Sequence, residues 1–141
     1  MTMQVIGIEE VDRILNEVSP RHARNLMRNT IHGVASEINK QARKNAPKDT
    51  GTLKKALKAK RKKSHPNQPI SEVVVEHGGG VRHDAFYWRF VEYGTVNRAA
   101  APFIKPAEEA VRANLAQIIR EQFGKKLESA LKREARKQAN R

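Results

Sequence analysis

The clearest apolar pattern in the chain lies between residues 20 and 45. Ala23, Leu26, Met27, Ile31, Val34, Ala35, Ile38 and Ala42 recur at helical spacing among Arg, Asn and Lys. A shorter stripe precedes it: Ile8, Val11, Ile14, Leu15 and Val18 predict a helix over 7–18, with Glu9, Glu10 and Asp12 near its start. Ser19-Pro20 separates the two, Ser19 as a cap and Pro20 at the first helical position. The long helix should stop near Asn45, because Ala46 precedes Pro47 and is pushed out of the helical region. Gly33 within it costs about 1 kcal/mol relative to Ala, a cost that close packing can offset.

From Ala56 the period changes to two. Leu57 and Ala59 alternate with Lys58, Lys60 and Lys62, the pattern of a half-exposed strand. After a loop holding Pro66 and Pro69, Ile70 to His77 reads as a second strand. Its three successive valines, Val73 to Val75, suggest a strand central or covered on both faces. The two strands predict an antiparallel hairpin over 56–77 with a long basic tip. Gly78-Gly79-Gly80 is a break. Asp84 is then placed to cap a short helix from Ala85 to Tyr93, ended by Gly94, with Phe86, Phe90 and Tyr93 on one face; a strand is the competing reading. Thr95 to Ala101 is irregular, and Pro106 suits the first turn of a new helix with Glu108 and Glu109 near its positive end. That helix, over 104–138, would be a rod of roughly 50 Å, against a domain diameter of about 26 Å. Either Gly124 interrupts it or its end projects.

These elements predict an α+β fold: one domain over 1–141, with a small antiparallel sheet, the basic hairpin, packed against long N-terminal and C-terminal helices. The helical N-terminal part covers 7–45, and the aromatic segment and its corner cover 85–103. Six of the seven aromatic residues lie between 85 and 107, so this stretch should form core or a partner surface. There is no cysteine, hence no disulfide or thiolate zinc site. No signal pattern or membrane-length apolar run occurs, which predicts a soluble protein made in the cytoplasm.

Net charge is +13, from 28 Lys and Arg against 15 Asp and Glu. Such an excess favours nucleic acid or an acidic partner, or simply a solvated surface. Lys54, Lys55, Lys58, Lys60, Arg61, Lys62 and Lys63 place seven positive charges in ten residues without an acid. Strand alternation would aim Lys58, Lys60 and Lys62 to one side, where they could track phosphates, meet an acidic partner or protect an edge strand. No aromatic interrupts the run, so base stacking is not supported. Lys132, Arg133, Arg136, Lys137 and Arg141 form a second basic group in a C-terminal tail that projects or docks on a neighbouring subunit.

Catalytic chemistry finds little footing. Asp49-Thr50-Gly51 spells the aspartic-protease tripeptide, but a single copy among lysines is a turn. The glycine triplet lacks the Lys-Ser/Thr of a phosphate loop. His77, His83 and Asp84 come nearest to a ligand cluster, at spacings looser than metal sites favour. The expectation is no enzyme, no cofactor and no metal.

Three features occur in order: Asn45-Ala46-Pro47-Lys48-Asp49-Thr50-Gly51-Thr52-Leu53 after a long helix, Phe90-Val91-Glu92-Tyr93-Gly94-Thr95, and Ala101-Pro102-Phe103-Ile104-Lys105-Pro106-Ala107. This order resembles the gp-ten-like tail-component family of long-tailed bacteriophages, over about residues 20–120. The chain departs from that pattern in its Phe86-Tyr87-Trp88 lead-in and in its long basic C-terminal helix. The resemblance implies a structural virion protein of the neck, a tail-completion or head-to-tail joining component. It would assemble in the host cytoplasm as a ring, a hexamer by family analogy, between the DNA-filled head and the tail. Its partners would be other copies of itself, other neck and tail proteins, and DNA in the channel, with no membrane and no small-molecule substrate. Phe86, Trp88, Phe90, Val91, Glu92, Tyr93, Gly94, Thr95, Pro102, Phe103 and Pro106 would form the core, corner and subunit packing. The basic run and tail would face acidic partners or DNA. A tail terminator or head-closure protein of the same neck is the near alternative, and a stand-alone basic nucleic-acid-binding protein the distant one.

Overall fold

A computed structural model describes residues 20–48, 51–65 and 67–140. The helix expected over 7–18, the Ser19 cap, the Asp49-Thr50 pair, Pro66 and Arg141 lie outside the described residues. The fold is α+β: helix α1 (Pro20–Asn45), a short helix α2 (Thr52–Ala56), strands β1 (Leu57–Lys62) and β2 (Ile70–Val75), then α3 (Trp88–Tyr93), α4 (Ile104–Ala113) and α5 (Leu115–Ala139).

Helix α1 is the axis on which the sheet and the C-terminal helices pack. Leu26, Ala35 and Ala42 are buried along it, as is Thr30, whose hydroxyl donates to the Leu26 carbonyl at 2.9 Å. The helix ends where Pro47 forbids continuation. The chain turns at Gly51 (φ 72°) into α2, an element the period-two reading missed because Leu53 and Ala56, its buried residues, are only three apart.

The strands pair antiparallel, Leu57 opposite Val75 through Lys62 opposite Ile70. Leu57, Ala59 and Arg61 alternate onto the side facing α1: Arg61 donates to Asn29 Oδ1 at 2.8 Å, and Ser71, opposite Arg61, has its hydroxyl 3.3 Å from His32 Nδ1. Lys58, Lys60 and Lys62 alternate with these along β1, though Lys58 and Lys62 still line grooves shared with α1. Among the described residues the sheet has two strands, so the valine run is not central there. Val75 is buried, whereas Val73 and Val74 are half-buried; β2 gets its cover from α1, not from flanking strands.

The rod predicted over 104–138 is bent. Asn114 (φ −116°, ψ 24°) separates α4 from α5, and its side-chain amide donates to the Ala110 carbonyl at 3.4 Å. An asparagine that bonds nearby backbone competes with the helix at that point. Gly124 lies inside α5 without interrupting it. The bend lays α5 back along α1, with Ile118, Gln122, Phe123, Lys126, Leu127 and Ala130 half-buried at helical spacing. Here the glycine of α1 finds its use: a Cβ on Gly33 would sit 2.2 Å from Gln122 Oε1. The core lies at the C-terminal half of α1, where Phe103 and Leu57 are fully enclosed by Ala42, Ala46, Leu53, Ala56, Ala85, Val91 and Ala107.

Candidate functional site

The aromatic stretch divides into an inner and an outer set. Phe103 is completely buried and Val91 nearly so, while Tyr87 and Trp88 pack half-buried against the core. Phe86, Phe90 and Tyr93 face outward, 68%, 56% and 73% exposed. The predicted helix over 85–93 is shortened to Trp88–Tyr93. Asp84 does not cap it. Its Oδ1 accepts the Gly78 N–H at 2.9 Å and closes the glycine loop instead.

One buried carboxylate ties the second and third sequence features together. Glu92 Oε2 accepts the N–H groups of Phe103 and Ile104 at 2.8 and 3.0 Å, and Oε1 accepts that of Lys105 at 2.9 Å. These are free amides of the first turn of α4, the positive end of a helix, so an anion is well placed there. Glu92 thus acts as the N-terminal cap of α4 from eleven residues upstream, a role that Glu108 and Glu109 do not take; Glu108 pairs instead with Arg112. Asn45 of α1 donates to the Phe103 carbonyl at 3.4 Å, so the corner holds α4 to α1 rather than to the sheet.

The segment between Gly94 and Ala101 is equally determined. Gly94 has φ 76° and ψ 175°, a region almost confined to glycine. A Cβ there would meet Ala100 N at 2.7 Å and Arg98 O at 3.0 Å. Thr95 N–H donates to Arg98 O at 2.8 Å, and Ala101 N–H to Val91 O at 2.8 Å. The loop folds tightly back on α3, leaving Val96 fully exposed beside the aromatic face. Pro102 is exposed and Pro106 half-buried, one on each side of the sealed Phe103.

The cationic run is split. Lys54, Lys55 and Lys58 line a concavity of about 640 Å³ with Lys40, Arg43 and Lys44 of the α1 C-terminus. Arg43 donates to the Leu57 carbonyl at 2.8 Å. Lys60, on the outer face, pairs with Glu76 at 3.3 Å. Lys62 and Lys63 lie at the opposite end of α1, in a groove with Arg21, Arg24 and Arg28. Arg61 continues that surface towards Lys126 and Arg133 of α5. Of the C-terminal basic residues, Lys132 pairs with Glu128 at 3.0 Å, Arg133 and Lys137 turn towards the start of α1, and Arg136 is exposed. Arg21, Arg24 and Arg28 of α1 were not singled out in the sequence, yet they share one helical face.

Next to this end, His32 is held below its ordinary pKa, first by burial and then by the positive charges of Arg61 and Lys126. Among the described residues no group of three or more His, Cys, Asp or Glu side chains is placed to hold a metal. No helix of the described residues is long and apolar enough to cross a membrane.

The family model described as "Bacteriophage HK97-gp10, putative tail-component" matches residues 9–94, that is 86 of the 141 residues. The match takes in the Ala46-Pro47 turn and ends at Gly94, before the Pro102–Pro106 corner that Glu92 holds. No curated protein and no solved structure matches the chain. With more than half its length covered, and with the first motif and all but the last residue of the second inside the match, the chain belongs to the HK97-gp10-like family of bacteriophage tail components.

Proposed function

We propose that this tail component is a structural protein of the virion neck, a tail-completion or head-to-tail joining subunit that assembles with copies of itself into a ring, a hexamer by family analogy. The role is assembly rather than catalysis. Its neighbours would be other neck and tail proteins. The observation that carries the reading is the outward aromatic face of α3 and its flanking residues. Phe86, Phe90, Tyr93 and Val96 are exposed on a short segment that Glu92 and Gly94 fix from behind. A rigid apolar patch of this kind marks a contact with another protein. One patch per subunit meeting a different patch on its neighbour gives a head-to-tail contact that closes into a ring.

The test is mass by light scattering after gel filtration, alone and with the tail-tube protein, for the parent and for Phe90→Ser/Tyr93→Ser. The reading expects discrete rings, free or on the tube partner, that the double substitution reduces to monomers of unchanged helicity. Monomers in both settings for the parent, or rings indifferent to the substitution, would overturn it.

A further inference from the structure

Two basic surfaces lie at the two ends of α1, and electrostatics separates their roles. At the C-terminal end, Arg43 and Lys44 stand in the last turn, where helix carbonyls favour positive charge, and Arg43 bonds a carbonyl directly. Arg43 at least is satisfied from within the fold. At the N-terminal end the signs are reversed. The first turn of α1 has no acidic residue, and Arg21, Arg24 and Arg28 stack at three- and four-residue spacing on the positive end of the dipole. The hairpin brings Lys62 and Lys63 against them, and α5 adds Lys126 and Arg133. Among the described residues none of Arg21, Arg24, Arg28, Lys62 or Lys63 makes an ion pair. Three separate elements thus bring these positive charges together, with no carboxylate paired to Arg21, Arg24, Arg28, Lys62 or Lys63 among the described residues.

The chemistry of that anion can be read from what the surface lacks. Specific protein interfaces have an apolar, often aromatic, centre within a polar rim. The exposed aromatic side chains lie on and just before α3, held at the other end of α1 through Glu92 and the Asn45–Phe103 contact. The basic groove is lined by Arg, Lys, Asn, Ser and His, with no aromatic for base stacking. Nor does the chain carry a motif that reads bases in a groove. A surface of guanidinium and ammonium groups alone suits a polyanion held by counterion release.

We infer that the end of the molecule formed by the first turns of α1 and the hairpin tip, with Arg21, Arg24, Arg28, Lys62 and Lys63, binds the phosphate backbone of duplex DNA without regard to sequence. The inference rests on the neck reading only for the source of the DNA; binding itself does not require a ring.

The test is fluorescence anisotropy of the full chain on a labelled duplex of arbitrary sequence, across a series of salt concentrations. Arg21→Ser/Arg24→Ser/Arg28→Ser is compared with Lys40→Ser/Lys44→Ser/Lys55→Ser, which removes the same charge from the other surface. The first set should weaken binding at least about tenfold at moderate salt and reduce the log–log salt slope by about 3. The second should leave both nearly unchanged. Lys62→Ser/Lys63→Ser, outside α1, gives the same readout should the arginine variant unfold. Equal losses in both sets would show a response to net charge alone and overturn the assignment. So would binding of polyglutamate, with the same arginine dependence, in the absence of duplex binding, since that identifies an acidic protein as the partner. Ring formation is scored separately by light scattering, so the failure of one reading leaves the other standing.

Discussion

At the corner near Asn45, a single negative charge is buried and receives three N–H groups. At the far end of the same helix, positive charges crowd together with no carboxylate opposite them among the described residues. About 21 residues of helix, roughly 30 Å, separate the two. In the corner each polar group is satisfied from within, so its residues are set by the fold. At the cationic end the described residues supply no carboxylate, and on the DNA-binding inference a partner's phosphates set its residues. The two regions should therefore respond to substitution with opposite signs of stability change.

The largest effect should come from Phe103→Ala. Phe103 is wholly enclosed by small residues that cannot collapse far into the space it leaves. A loss of about 3–5 kcal/mol is expected in denaturant unfolding. For a domain with total stability of about 5–15 kcal/mol, that leaves little native protein at growth temperature. A loss below that of an exposed aromatic such as Phe86 would mean that the corner is not the core.

Glu92→Gln follows. The amide keeps the size of the side chain but turns one acceptor into a donor facing a donor N–H, and it removes the charge from the positive end of α4. About 3 kcal/mol should be lost. Gly94→Ala should cost about 2–3 kcal/mol through its backbone conformation, with the Ala100 contact adding to it. Both losses should appear without any change in DNA binding. A neutral Glu92→Gln would sink the capping role.

At the other end, Arg21→Gln should raise stability by about 0.5 kcal/mol at low salt, and the gain should vanish as salt screens the repulsion. A destabilising Arg21→Gln would erase the contrast between the two regions.

How much of this was legible follows the distance over which each decision is made. Pro20 and Pro47 fix the bounds of α1 locally, and the Leu57–Ala59 alternation sets the strand face, so both could be read directly. Gly94 was visible as a special position, although its ψ of 175° is not that of an ordinary left-handed helix end. Glu92 could be listed among corner residues but not given its task, because its partners lie eleven to thirteen residues away across an irregular loop. Asp84 had two amides within reach, the helix start and Gly78, and local rules could not choose between them. Asn114 was hidden because Val111, Leu115 and Ile118 carry the apolar stripe straight across it. The split of the lysine run was obscured by linear proximity: about 17 Å of strand separates Lys58 from Lys63. The arginines of α1 were readable at helical spacing, but their meaning depends on the hairpin folding back to meet them.

The smallest effect is a pH response that reports on the cationic end from the inside. His32 sits between α1, β2 and α5, its Nδ1 near Ser71, facing Arg61 and Lys126. Burial and those two cations lower its pKa in the folded protein below the ordinary 6.5. As pH falls through 6.5, the unfolded chain takes up a proton at this position while the folded chain does not. The stability His32 supports is therefore present above about pH 6.5 and declines below it, until the folded protein also becomes protonated. The check is denaturant unfolding of parent and His32→Gln from pH 8 to pH 5. The gap between them should be constant above neutrality and shift in favour of the variant as the solution becomes acid. Because Arg61 is one of the two charges responsible, Arg61→Gln should leave the onset near pH 6.5 but reduce the size of that shift, bringing its pH dependence closer to that of His32→Gln. An Arg61→Gln curve parallel to the parent would mean that the positive field does not reach His32, and the contrast between a satisfied corner and a cationic end would then be confined to the surface.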